Sequence, residues 1–440
     1  MYFQCGLEPD QNISRRTFLR RSISRNVAAL VASVIFSAAV HAQPANPLTL
    51  MEAENLALAN EPGQAALVAR STALEERAVV AGQLPDPTLR IGLNNFPIDS
   101  GGFRTEGMSN AMVGVRQAFP PGKTRSISTR QLQSMSAEMA QNAAARGRDV
   151  LMAARVSWLE LYFWDRAHAL VSESRPFFGD LATATRSLYA VGRKNQQDLL
   201  RAELELSRLD DRLIEIERRR ASARAALGEW VGNDADRPIA ARLPEWNKVP
   251  ARAVLRSNLQ QHPVIKAADA QIDASVAGVD LASQRSRPGW AVEAGYSYRD
   301  GFLPNGQPRS DFISVNVTVG LPFFRKKSID STLSAALHDR RAAQESKRQD
   351  TRRLTSQLYA EYARWQDLSR RMSLYEDQIL GQTEDQARAA LVAYQSDSGD
   401  FADVMRGYID DLNARLDHIR LQVERAQSHA TLANLGGLPR

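Results

Sequence analysis

Two hydrophobic periodicities alternate along this chain, and the points where one gives way to the other divide it. From Lys123 to Trp230 apolar residues recur at helical spacing, and Leu206, Leu209, Leu213 and Ile216 step by three and four as in a coiled-coil seam. At ~1.5 Å per residue the stretch Lys123 to Ala190 predicts a rod on the order of 100 Å long, with Pro176 expected to kink or interrupt it. A second seam, Leu412, Leu416, Ile419, Val423, Ala426, Ala430 and Ala433, predicts a last long helix. Elsewhere the period falls to two. Leu89, Ile91 and Leu93 alternate with Arg90, Gly92 and Asn94, and Val113 and Val115 with Met112, Gly114 and Arg116. Trp290 to Tyr298 and Ile313 to Val319 alternate in the same way. Four strands follow, near 88–95, 111–119, 290–298 and 312–320, each with one apolar face. The loops Asn95 to Asn110 and Arg299 to Asp311 are rich in Gly, Pro, Asn and Asp.

The breakers repeat as well. Pro62, Pro85 and Pro120 have counterparts in Pro263, Pro288 and Pro322 at an offset near 202. Tyr189-Ala-Val191-Gly192-Arg193 through Asp198 has a twin in Tyr394-Gln-Ser-Asp397-Ser-Gly399 through Asp403, and each copy interrupts a long helical pattern. The chain therefore divides into a leader (1–42), a first repeat (43–247) and a second repeat (248–440), with the proline-rich 233–250 stretch as linker. Its fold class is mainly α with a small β portion, duplicated internally.

Composition narrows the function. Aromatic residues make up only 7% of the 440 residues, and the net charge of +6 is spread as cations alternating with acids along the helices. That is a solvated helical surface and not a nucleic-acid footprint. Arg15, Arg16, Arg20, Arg21 and Arg25 precede the apolar run Val27 to Val40, and Val40-His41-Ala42 before Gln43 reads as an export cleavage site. Ser14-Arg15-Arg16-Thr17-Phe18-Leu19 also fits a twin-arginine signal. Cys5, the single cysteine, falls in the leader, which removes disulfides, thiolate metal sites and a cysteine nucleophile from the mature chain. The histidines are scattered without ligand spacing, and neither a nucleophile motif nor a phosphate-binding glycine loop is present. No cofactor and no catalysis are expected.

Strands of about ten residues with one apolar face match membrane-spanning β-strands. Four cannot close a barrel, and an open sheet in hydrocarbon leaves edge N–H and C=O groups unpaired at several kcal/mol each, so copies of the chain must share one barrel. The competing reading is a soluble periplasmic coiled-coil scaffold.

Leu84-Pro85-Asp86-Pro87-Thr88-Leu89, Asn94-Asn95-Phe96-Pro97, Gln117-Ala118-Phe119-Pro120, the duplicated order and Leu435-Gly436 resemble the TolC family of outer-membrane efflux channels, most of all its heavy-metal (CusC and CzcC type) members. The resemblance implies a homotrimer with a twelve-stranded barrel in outer-membrane lipid, continued by a helical tunnel through the periplasm. It implies a periplasmic adaptor (membrane fusion protein) and an inner-membrane pump of the RND type as partners, with heavy-metal cations as cargo. A drug or solvent channel, or the outer component of a type I secretion system, is the alternative in the same fold. Val191, Gly192, Arg193 and Asp397 fall on the adaptor-docking tips. Asp403 and Arg406 fall on the periplasmic aperture, with Asp403 expected to form an acidic constriction. Asp198, Tyr394 and Gly399 fall on an inter-helix link that holds the closed state. The chain departs from the family pattern at Asp397, often glycine, at Gly399, where the link has arginine, and at Arg406, where a second aspartate is usual.

Overall fold

The computed structural model describes residues 46–59, 61–193 and 195–436. The leader, its apolar run, the cleavage position and Cys5 lie outside the described residues. In chain order the elements are α1 (Leu50–Ala59), α2 (Pro62–Gly82), β1 (Thr88–Asn94), β2 (Asn110–Phe119), α3 (Thr124–Ala190), α4 (Gln196–Val231), α5 (Arg252–Asn258), α6 (Pro263–Gln284), β3 (Gly289–Tyr298), β4 (Phe312–Gly320), α7 (Lys326–Leu374), α8 (Leu380–Gln395) and α9 (Phe401–Gly436).

The helix starts follow local chemistry. Thr49 and Glu52 form a reciprocal capping box at α1: the Glu52 amide donates to Thr49 Oγ1 at 3.2 Å and the Thr49 amide to Glu52 Oε2 at 3.0 Å. Helices α2 and α6 each begin with proline, which forfeits only an amide the first turn leaves unused. The preceding side chains, Glu61 and His262, accept from the amides of Gly63 (2.8 Å) and Val264 (3.3 Å).

Of the kink or interruption expected at Pro176, the interruption does not occur: α3 runs 67 residues with the proline inside it. A helical proline removes one hydrogen bond and crowds the preceding turn at a cost of about 3 kcal/mol, which packing on both sides can offset. Here Arg175 pairs with Asp210 on α4, Phe178 is buried in the core, and Phe177 lies 4.2 Å from Tyr408 on α9. Between α7 and α8 the backbone stays helical through one wide π-helical turn, Tyr375–Ile379.

Helices α3, α4 and α9 pack around one core that includes Trp158, Leu161, Phe178, Leu227, Phe401 and Met405. Both seams face inward. Leu209 and Ile216 are buried, with Leu206 and Leu213 against them, and the α9 seam is buried except for half-buried Ile419. Each such leucine contributes about 1.5–3 kcal/mol of burial. One ion pair sits inside this packing: Arg155 and Glu54, 2.6 Å apart, each less than a tenth exposed.

The four strands form one antiparallel sheet in the order β1-β2-β3-β4, so the two repeats join through β2 and β3. Across the sheet Leu89, Val115, Ala294 and Val315 stand in register, as do Ile91, Val113, Tyr296 and Ile313. That face is inverted relative to a water-soluble sheet. Ile91 is 76% and Ile313 82% exposed, while Glu293 and Ser297 on the opposite, polar face are buried. Glu293 receives Arg90 at 3.1 Å across the intervening strand. Among the described residues the outer edges of β1 and β4 pair with no strand.

Candidate functional site

The twin stretches are the turns of two helical hairpins, α3–α4 and α8–α9. In the first, the Gly192 amide donates to Tyr189 O and the Arg193 amide to Leu188 O, both at 2.9 Å. In the second, the Asp397 amide donates to Tyr394 O at 3.2 Å and the Ser398 amide to Ala393 O at 2.9 Å. Both are the paired-bond helix ending whose penultimate residue must take a left-handed backbone. Gly192 does so with φ 71°, and Asp397 with φ 58°. The Asp397 departure therefore places a side chain in a conformation glycine adopts freely. Compensation comes from the neighbouring serines. Ser396 Oγ donates to Val392 O at 3.0 Å, Ser398 Oγ to Ala393 O at 3.1 Å, and the two hydroxyls lie 2.9 Å apart.

Gly399 has a steric reason. A Cβ there would lie 2.8 Å from Ala393 Cβ and 3.2 Å from the Tyr394 nitrogen, so the chain turns against the end of α8 where no side chain fits. The arginine expected at this position from the family pattern is incompatible with that path. Tyr394 is half-buried against the main core, its ring edge-on to Phe401 at 5.5 Å. Tyr394 and Gly399 thus meet at one turn. Asp198 sits on the other hairpin, in the first turn of α4, with its amide donating to Asn195 O at 3.2 Å.

Asp403 and Arg406 are brought together. They occupy successive turns of α9, with Arg406 Nη1 3.3 Å from Asp403 Oδ1 and both side chains exposed. The acid of the expected constriction thus carries its own counter-ion within the chain. An exposed pair of this kind adds about 0–1 kcal/mol, which leaves it free to exchange partners. Val191, 69% exposed, and Arg193 project from the first tip.

One determinant of tip geometry escapes the sequence patterns. A Cβ on Gly407 would lie 2.9 Å from Ala387 Cα, so α8 and α9 approach backbone to backbone just above the turn. Ala182 and Ala202, buried at the corresponding level of α3 and α4, keep that pair close as well. The available signal was small residues at matched places in both repeats. Among the described residues no group of three or more His, Cys, Asp or Glu is placed to hold a metal ion, and no helix is long and apolar enough to cross a membrane.

The chain thus combines an inverted sheet with two open edges and two long helical hairpins. Residues 254–438 match the model of the outer membrane efflux protein family, and over most of its length the chain has the fold of solved outer-membrane channels. Among curated proteins it is similar to Protein CyaE of Bordetella pertussis, 28% identical over 417 residues, covering 89% of this chain and 85% of the relative. Among solved structures it superimposes on CusC with a TM-score of 0.75 at 15% identity, covering 88% of this chain and 92% of that one. The outer-membrane channel OprN gives a TM-score of 0.74 at 15% identity, with 88% and 90% covered.

Proposed function

We propose that the chain is the outer-membrane channel of a tripartite, RND-type efflux system, a passive duct across periplasm and outer membrane. The observation that carries this reading is the inverted sheet. Its apolar face is exposed on all four strands, the opposite, polar face holds the buried Glu293 and Ser297 of β3, and its two free edges are what a third of a twelve-stranded barrel requires. Three copies close the edges, β1 of one against β4 of the next. The two repeats, 43–247 and 248–440, each give one hairpin to the barrel and one helical hairpin to the tunnel.

In this reading the tips at Val191, Gly192, Arg193 and Asp397 meet a periplasmic adaptor, and an inner-membrane pump supplies the energy. Asp403 and Arg406 line the aperture, and Asp198, Tyr394 and Gly399 set how the hairpins lean together when it is closed. With Asp403 neutralised by Arg406, Arg406→Gln should uncover three carboxylates and raise cation over anion permeability in single-channel recordings. Unchanged selectivity would remove both residues from the aperture.

The cargo assigned is heavy-metal cations, on the Leu-Pro-Asp-Pro and Gln-x-Phe-Pro elements and the likeness to CusC. A deletion strain challenged with copper, silver, zinc, cobalt and cadmium should become sensitive to at least one. Sensitivity to drugs or solvents alone would move the cargo to that class while keeping the channel.

A further inference from the structure

We propose that the helix-side rim of the sheet is a binding surface for anionic glycerophospholipid, selecting the lipids of the leaflet that faces the helices. It rests on the barrel reading above and adds a ligand to it. The register puts the start of β1, the end of β2, the start of β3 and the end of β4 at one end of the sheet, where Phe119 stacks on Trp290 at 4.1 Å. Trp290 and Tyr298 stand eight residues apart on β3, about 27 Å along the strand at ~3.4 Å per residue, so aromatic side chains bracket an apolar band of bilayer height.

Directly below the band at the helix side the chain reads Leu321-Pro-Phe323-Phe324-Arg325-Lys326-Lys327. Phe323 and Phe324 stand out into solvent, and the three cations after them are exposed and form no ion pair among the described residues. Lys123, Arg285 and Arg287 lie at the same level. The Lys123 amide donates to Gln284 Oε1 at 3.1 Å, and Arg285 reaches Thr332 on α7 at 3.3 Å. Asp86 is the one acid in the four chain segments that meet the strands here.

The far rim is built differently. Its loops hold arginines and acids in near balance, and the arginines are spent on the loops themselves. Arg104 pairs with Asp300 at 3.0 Å, Arg299 donates to Gly107 O, and Arg309 donates to the carbonyls of Glu106 and Asp300. One rim is thus internally neutralised, while the other presents unpaired cations one residue beyond exposed phenylalanines. Rings at the acyl boundary with ammonium and guanidinium groups a few ångströms further out match the depth order of a lipid's chains and its phosphate.

The test uses the mature trimer reconstituted in vesicles of phosphatidylethanolamine and phosphatidylglycerol at about three to one, with spin-labelled forms of each lipid reporting their association with the protein. Phosphatidylglycerol should be preferred by about two- to fivefold at low salt, the preference shrinking as salt screens it. Arg325→Gln/Lys326→Gln/Lys327→Gln should bring the two lipids close to parity, and Lys326→Arg/Lys327→Arg should keep the preference. Parity in the unmodified protein, or an unchanged preference in the triple variant, would overturn the proposal while leaving the channel reading intact. A triple variant that keeps its lipid preference but loses adaptor binding would assign these cations to a protein partner instead. Failure of the unmodified protein to enter vesicles as a trimer would overturn the barrel reading and the lipid surface with it.

Discussion

At the scale of single residues, the tips trade backbone freedom for side-chain bonds. Asp397 holds a left-handed φ that L-residues reach at a cost of about 1 kcal/mol, aspartate somewhat less. Asp397→Gly should therefore slow amide exchange at Ser398 by several-fold, and Gly192→Asp should speed it at Arg193. Gly399→Arg should be far more disruptive, since its Cβ already collides with Ala393. Deeper in the helices, Glu54→Ala would strand the buried Arg155 guanidinium, which also lies 5.3 Å from the Trp246 ring. A loss of about 3–5 kcal/mol is expected in denaturant unfolding, more than for any exposed pair in the chain. These positions were only partly legible in the sequence. The twin turns show as matched breakers, but that Asp397 does glycine's work, and that Glu54 meets Arg155 a hundred residues on, depends on backbone angles and tertiary packing that spacing does not encode.

At the scale of elements, the periodicities read well because each repeats over many residues. All four strands and both coiled-coil seams lie where alternation or three-four stepping puts them. What the patterns miss are single events inside long helices. Pro176 is absorbed because the side chains on either side of it are anchored, and the π-helical turn at Tyr375–Ile379 has no signature in hydrophobic spacing. The near-contact at Gly407 is another. Gly407→Leu should push α8 and α9 apart by about 2 Å or more, because helix separation is set by the side chains at the crossing. Spin labels at Val392 and Arg406 would read the change, and an unaltered distance distribution would show that Ala387 does not set the spacing.

At the scale of the whole molecule, two buried histidines tie stability to pH. Burial pushes His262 and His429 down to about 4 from their ordinary 6.5, with Arg148 adding to the effect at His262 and Arg155 at His429. His262 Nδ1 accepts the Val264 amide, so a proton there would break the α6 cap, and His429 stacks on Trp246 at 4.8 Å. As pH falls from 6.5 towards 4 the unfolded chain takes up these protons and the folded chain does not, so stability declines across that window. Each histidine should cost on the order of 1–2 kcal/mol at pH 5, and His429→Phe should flatten its share of the slope in denaturant titrations. The open edges of the sheet reach further still. In the trimer proposed above, a single copy cannot finish its own strands, so folding would be a matter of supply: maturation would wait on encounters with two others, and until then each copy would display a sticky edge to proteases and to unrelated chains. Halving synthesis should thus lower the yield of finished channel by more than half.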